Sequence, residues 1–208
     1  MTDNKSTPQP KKKLKLYVGV AVLIALVTYF QMIVWADIPE ITGPAIQYDH
    51  LSSEETEPYL VSGKAPRKRG DIRAAEKWPD VRSCLVRSER NKDTPDLRKI
   101  NWRKMRMDTD IEVCMFRIFT SLGTPEKAKL WYVEQGLLRV KIENYQASNQ
   151  EITRVKAYNS PRADRRIYIP AVGIQALILM MFTHSESFRA IWGGAGQLIS
   201  TVHEKTAT

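Results

Sequence analysis

The first pattern along the chain is one long apolar run. From Leu16 to Ala36, 21 consecutive residues carry no charged side chain. At about 1.5 Å of rise per residue, a helix over this run is about 31 Å long, close to the roughly 30 Å hydrocarbon core of a bilayer. The run therefore predicts a single-pass transmembrane helix over residues 16–36, preceded by a basic tail at residues 1–15.

The charges around this run predict its orientation. A lysine cluster stands directly before it, and the 15 residues after it contain no Lys or Arg. Cytoplasmic flanks of membrane helices carry the excess of basic residues, so we expect a cytoplasmic amino terminus and a domain on the periplasmic or equivalent exported side of the inner membrane. The membrane-orienting residues are Lys11, Lys12, Lys13 and Lys15.

Two further features of the run fit a signal-anchor. Tyr17 and Trp35 stand at its ends, where amphipathic rings prefer the lipid headgroups. Ala21 and Ala25 have the small-xxx-small spacing of a helix-contact face. The alternative is a cleaved secretory signal with a small-residue site before Asp37, but the apolar stretch of a signal is typically about 7 to 15 residues long.

Residues 37–63 are rich in Pro, Gly, Ser and Glu, which predicts a linker, and residues 64–208 are then the exported α+β domain. A basic stretch opens this domain. It is either a patch for an anionic surface or a solvated loop, and its residues are Lys64, Arg67, Lys68 and Arg69.

Helical spacing dominates the first half of the domain. We expect helices from Asp71 to Trp78, from Pro79 to about Arg90, and from a capping box formed by Thr109 and Glu112 to Gly123. A further helix has Thr124 as its N-cap and Pro125 at its first position, and Gly136 ends it.

The period then changes to strict alternation. Strands are predicted at 138–143, 152–158 and 166–169, which form a three-stranded antiparallel meander with the helices packed on it. An uncharged run from Ile167 to Phe182 is predicted as a core helix from about Ala171, with a second membrane segment as the alternative. After Ser185 the spacing of Phe188, Ile191 and Trp192 predicts a short helix.

The charge of +9 changes this scheme little, because +4 of it lies in the first 15 residues. The remaining excess is smaller than that of a typical nucleic-acid binder, and no basic stripe is interleaved with aromatic residues. The expected partners are membrane lipid and other membrane or envelope proteins, without nucleic acid. The oligomeric state stays open.

The residues that carry chemistry are few. Cys84 and Cys114 either form a disulfide or are two buried thiols, and they lack the Cys-x-x-Cys spacing of a redox pair. Three scattered histidines, His50, His184 and His203, have no metal-ligand spacing, so neither a metal nor a cofactor is expected.

These observations predict a non-catalytic accessory or scaffold protein of a membrane or envelope complex, whose domain binds partner proteins. The alternative is a membrane-anchored hydrolase that acts on cell-envelope material, with His184 and a carboxylate as its acid–base pair. Ser185 and Glu186 adjoin His184, but residues adjacent in sequence cannot generally face one another across a catalytic geometry.

Overall fold

The structure is a computed structural model that describes residues 11–34, 41–147, 150–159 and 183–207. The chain forms two units, Met1–Ile38 and Pro39–Thr208. Helix α1 (Lys11–Val34) belongs to the first. The second contains α2 (Arg69–Lys77), α3 (Val81–Cys84), α4 (Arg87–Arg90), a 3-10 turn (Trp102–Lys104), α5 (Asp108–Leu122), α6 (Pro125–Glu134), β1 (Leu138–Ala147), β2 (Gln150–Asn159), β3 (Thr183–Trp192) and β4 (Leu198–Ala207).

The predicted membrane span is the first correction. Among the residues that the structure describes, no helix is long and apolar enough to cross a membrane. The finding contradicts the predicted transmembrane helix at 16–36, the single-pass signal-anchor topology and the inner-membrane localisation with an exported domain.

The predicted three-stranded sheet is the second correction. The sheet has four antiparallel strands in the order β1-β2-β3-β4. Strands β1 and β2 match the predicted alternation, whereas the predicted strand at 166–169 and the core helix from Ala171 lie outside the described residues.

The predicted short helix after Ser185 is wrong, because Phe188, Ala190 and Trp192 alternate into the core as part of β3. Gly193 donates its amide to Gln197 O at 2.9 Å and so turns the chain into β4.

Helix α5 lies at the centre of the second unit. It packs on β4 and β3, and α2 and α3 also contact it. Its apolar residues are buried on every side, as the dense apolar pattern predicts, and Gly123 ends the helix at a φ of 81°. Helix α6 begins at its predicted N-cap, where Thr124 Oγ1 accepts the amide of Lys127 at 3.3 Å.

The start of α5 differs from the predicted capping box. Asp110, rather than the pair of Thr109 and Glu112, accepts the free amides, with its Oδ2 2.9 Å from the nitrogen of Arg106 and 3.2 Å from that of Met107. Thr109 Oγ1 is buried without a hydrogen-bond partner in the described part of the chain. Glu112 is therefore available for a contact with the sheet.

The predicted helix from Pro79 to Arg90 is two short helices. Between them, Leu85 forms a β-bridge with Ile100, and Val86 donates its amide to Lys99 O at 2.9 Å. Because these backbone groups bond to the segment near residue 100, they cannot continue an α-helical ladder. The interruption places α4 beside the loop that precedes α5.

The core also includes residues before α2. Ile46, Ser52 and Tyr59, from the stretch predicted as a linker, are buried. The Tyr59 ring meets Phe116 edge to face at 5.3 Å between centroids. The linker region therefore contributes apolar area to the second unit.

Candidate functional site

The two edges of the sheet differ in how their backbone groups are satisfied. At the β4 edge, Gly63 donates its amide to Ile199 O at 2.7 Å. The amide of His203 donates to Glu112 Oε1 at 3.0 Å. Unpaired groups of an edge strand attract further strands, and here the residues before α2 and a side chain of α5 occupy them.

The opposite edge is open in the described part of the chain. Among the described strands β1 pairs with β2 alone, and its pairing is irregular between Leu138 and Lys141, where Arg139 has a φ of 52°. From Lys141 to Ala147 every residue has a partner in β2. In the described ranges no other element donates to or accepts from the outer side of these residues. We call residues 141–147 the β1 edge.

A row of basic residues ends at the β1 edge. Lys141 lies opposite Lys156, and Lys156 lies opposite Arg189 in the next strand. These residues alternate with the buried Val155 and Ala157, so they point away from the α5 and α6 face of the sheet. Like charges directly opposite one another are destabilising, so the row favours an anion beside it.

Only part of this row is neutralised within the chain. Arg189 forms an ion pair with Glu204. Lys156 Nζ lies 4.9 Å from the centroid of the Tyr158 ring. Lys141 is exposed, and in the described part of the chain no carboxylate pairs with it. The outermost cation of the row therefore meets solvent at the open edge.

Helix α6 carries an exposed apolar pair. Helix α6 packs on β1 and β2 and buries Ala128, Trp131 and Tyr132. On its solvent side, Leu130 is 46% exposed and Val133 is 51% exposed. Because the basic row points away from α6, this apolar surface lies on the opposite face of the sheet from Lys141.

The main cluster of titratable groups lies between α5 and β4. His203 has 0% of its side chain exposed, and its Nδ1 is 3.0 Å from Asp108 Oδ1. Lys205 Nζ lies 2.8 Å from the same oxygen. The hydrogen bond from His203, together with Lys205, holds the pKa of Asp108 well below its usual range despite partial burial. The Phe188 ring covers the imidazole at 4.7 Å between centroids.

Glu112 is the second carboxylate of this cluster. Burial raises its pKa above the usual value, and the hydrogen bond from the His203 amide opposes that rise without cancelling it. Thr201 Oγ1 donates to the backbone carbonyl of Glu112 at 2.6 Å. These contacts join the first half of α5 to β4.

The carboxylate and imidazole pair resembles the orienting half of a catalytic triad, but its geometry is closed. A general base must reach the proton that it removes, directly or through one water. The imidazole of His203 is enclosed, and its Nε2 is buried without a partner among the described residues. The pair therefore connects helix and sheet. His184, the histidine of the predicted hydrolase, lies in β3, and its side chain is outside the described set.

Cys84 and Cys114 form a disulfide that joins α3 to α5. This is one of the two arrangements that the sequence leaves open. The bridge spans a sequence separation of 30 residues. It also supports the neighbouring loop, since the carbonyl of Cys84 accepts the amide of Asn101 at 2.8 Å.

The other predicted site residues are not brought together. The orienting lysines Lys11, Lys12, Lys13 and Lys15 belong to the start of α1, and Tyr17, Ala21 and Ala25 are exposed on that helix. Trp35 lies outside the described residues. The basic patch Lys64, Arg67, Lys68 and Arg69 is exposed, with Lys68 directly before α2 and Arg69 at its first position. Contact of this patch with an anionic surface stays a prediction.

Sequence reasoning missed the β1 edge and the buried cluster around His203. The alternation of Arg139, Lys141 and Glu143 correctly predicts the strand, but it contains no information about which strand lies at an edge. No group of three or more His, Cys, Asp or Glu residues in the described ranges could hold a metal ion. No family model, no curated protein and no solved structure matches this chain.

Proposed function

We propose that this chain is a non-catalytic accessory or scaffold protein that binds partner proteins, and that it does so by adding an extended acidic segment of the partner to the β1 edge. The observation that carries the proposal is the difference between the two sheet edges. The β4 edge is occupied by Gly63 and Glu112, whereas no described residue bonds to the outward backbone groups of the β1 edge.

Strand addition would use the ordinary hydrogen bonding of an antiparallel sheet. In such a strand, alternate residues direct their amide and carbonyl groups away from the existing neighbour. Over residues 141–147 these groups offer main-chain hydrogen bonds to a peptide, and side-chain contacts then supply specificity. The irregular pairing before Lys141 limits where an added strand can start, which helps to set its register.

The charge row supports an acidic partner segment. A residue of the added strand opposite Lys141 would extend the row that already contains Lys156 and Arg189. A carboxylate at that position relieves the repulsion, and a cation increases it.

A binding function also agrees with the state of the buried histidine. His203 is enclosed by Phe188 and bonded to Asp108, so it stabilises the helix–sheet junction and contacts no solvent. No observation in the described residues favours the hydrolase alternative.

The test selects partner segments by their affinity for the chain. A phage-displayed library of unstructured ten-residue peptides is selected on the immobilised full chain under non-reducing conditions. We expect enriched peptides with alternating apolar residues and at least one carboxylate. Hydrogen exchange of the complex should show new protection at alternate amides of residues 141–147.

A proline scan over residues 142–145 supplies the matched controls. Proline removes an amide donor. At two alternate positions the amide bonds to β2, so proline should destabilise the domain. At the other two the amide faces the open edge, so proline should leave the fold intact and abolish peptide binding. Peptides that protect a different surface, or full binding by both folded proline variants, would refute strand addition.

A further inference from the structure

A cationic cleft lies away from the sheet, between α4 and the loop before α5. It encloses about 530 Å³, within the range of small-molecule sites. The residues that line it are basic or carry amides, and none is acidic: Arg87, Arg90, Asn91, Asn101 and Lys104.

The guanidinium of Arg90 is held in place before any ligand binds. Its Nε donates to Leu85 O and its Nη2 donates to Ser83 O, each at 2.9 Å. Nη1 has no partner in the described part of the chain. A fixed guanidinium loses less conformational freedom on binding an anion than a mobile one.

The other donors of the cleft are also free. Arg87 and Lys104 are exposed, and in the described ranges neither side chain has an ion-pair partner. The side-chain amides of Asn91 and Asn101 likewise have no protein partner there. Three cations and two amides therefore line one cleft, and no acidic residue is among its described lining residues.

The nearest buried carboxylate is occupied elsewhere. Glu89 bonds to Lys92 Nζ at 2.9 Å and to Lys99 Nζ at 3.3 Å. Burial raises the pKa of Glu89, but these hydrogen bonds and one from the Asp96 amide outweigh burial, so its pKa lies below the usual value. Glu89 therefore stays ionised and paired, and it is not available to neutralise Arg87 or Arg90.

The walls of the cleft are tied to the disulfide. The backbone amide of Asn101 donates to the carbonyl of Cys84, and Leu85 forms a β-bridge with Ile100. Cys84 is in turn bonded to Cys114 in α5. The position of α4 relative to the loop before α5 is thus set by covalent and backbone bonds together with the contacts of Glu89 to Lys99 and Asp96.

We propose that this cleft binds the phosphate group of a small phosphate monoester, with Arg87, Arg90 and Lys104 as its charged donors and the two asparagine amides as additional donors. A dianionic phosphate offers three acceptor oxygens, and a guanidinium can bond two of them at once. The proposal is independent of strand addition at the β1 edge, which lies on a different element.

The test titrates the isotope-labelled full chain with glycerol phosphate, inorganic phosphate and dimethyl phosphate, and follows amide chemical shifts. Glycerol phosphate should cause saturable shifts at residues 87–91 and 101–104. Its affinity should rise between about pH 5 and pH 7, because the second ionisation of the monoester has a pKa of about 6. Dimethyl phosphate, which stays a monoanion, should bind more weakly and without this pH dependence.

Two double variants distinguish specific binding in the cleft from a general effect of surface charge. Arg87→Gln with Lys104→Gln should weaken glycerol phosphate binding by at least about tenfold, since hydrogen bonds to charged groups are lost. Arg73→Gln with Lys129→Gln removes the same charge at exposed positions on α2 and α6, and should change the affinity by less than about twofold. Equal losses in both variants, or shifts that never saturate, would overturn the proposal.

Discussion

The disulfide between Cys84 and Cys114 should account for a large part of the stability of this chain. The perturbation is the replacement of both cysteines by alanine, with chemical reduction of the parent chain as a second route to the same loss. Both sulfurs are fully buried. The two routes differ in the atoms that remain in the core, so agreement between them isolates the effect of the cross-link.

The magnitude follows from the loop that the bridge closes. With a sequence separation of 30 residues, the chain-entropy relation gives about 3.6 kcal/mol of stabilisation at 25 °C. Domains of this size typically have unfolding free energies of about 5 to 15 kcal/mol. Loss of the bridge should therefore remove between roughly a quarter and three quarters of the unfolding free energy.

The assay is urea denaturation followed by tryptophan fluorescence, with and without reductant. For a slope of about 2 kcal/mol per molar urea, the midpoint should fall by about 2 M. The slope should increase slightly, because the unfolded chain without the cross-link is more expanded. The double alanine variant should show nearly the same midpoint in the presence and absence of reductant.

A midpoint shift below about 0.5 M would contradict the entropy argument, since the free energy lost would then be under about 1 kcal/mol. Titration of two free thiols in the denatured, unreduced chain would show that Cys84 and Cys114 are not bonded. If reductant lowers the urea midpoint of the alanine variant as much as that of the parent chain, the effect comes from the reductant and not from the loss of the bridge.

Three further predictions concern charges. Lys141→Glu should raise the unfolding free energy by about 0.2 to 1 kcal/mol, because it replaces repulsion from Lys156 with attraction. The same variant should no longer bind acidic peptides. A lower unfolding free energy would refute the repulsion inferred between Lys141 and Lys156. Glu112→Gln keeps the acceptor for the sheet amide but cannot ionise. Since the pKa of Glu112 is raised, the parent loses stability as pH rises above about 4.3, and thermal scans across pH should show a flatter profile for the variant. Asp110→Asn replaces two acceptor oxygens by one, so either the Trp78 indole or the amides of Arg106 and Met107 lose their acceptor, and the variant should lose about 1 to 3 kcal/mol near pH 7. Burial raises the pKa of Asp110, but hydrogen bonds from Lys77, the Trp78 indole and the backbone outweigh burial, so the pKa is lowered. The difference in unfolding free energy between parent and variant should therefore narrow as pH falls below about 3.9. An equal difference in urea titrations at pH 3 and pH 7 would contradict this.

The elements predicted correctly from the sequence are those specified by local signals. Thr124 and Pro125 start α6, and Gly123 ends α5 at a positive φ that favours glycine. The alternation from Leu138 onwards predicts β1, because one face of that strand packs on the core. Each of these signals acts within a few residues of the element that it determines.

The errors occur where distant segments compete with local preference. Leu85 and Val86 read as part of a helix, but their backbone groups bond to residues near position 100. The spacing of Phe188, Ile191 and Trp192 fits a helix as well as a strand, and only pairing with β2 and β4 selects the strand. Periodicity alone cannot separate these cases in a short apolar segment.

The predicted membrane helix rested on the length of one apolar run and on the charged and aromatic residues beside it. An apolar run of 21 residues satisfies the length rule. The described residues contain no helix that is long and apolar enough to cross a membrane, so the localisation inferred from that run is not retained.

The sequence by itself determined the helix boundaries at Gly123 and Thr124, the alternation of β1 and β2, and the presence of two cysteines that could pair. Only the tertiary structure decided that the cysteines are joined, that the β4 edge is occupied while no described segment covers the β1 edge, and that the lining residues of the cationic cleft converge. The physical reason is sequence separation. Capping and alternation act between neighbours, whereas strand order, an open edge and a cleft depend on which distant segments meet.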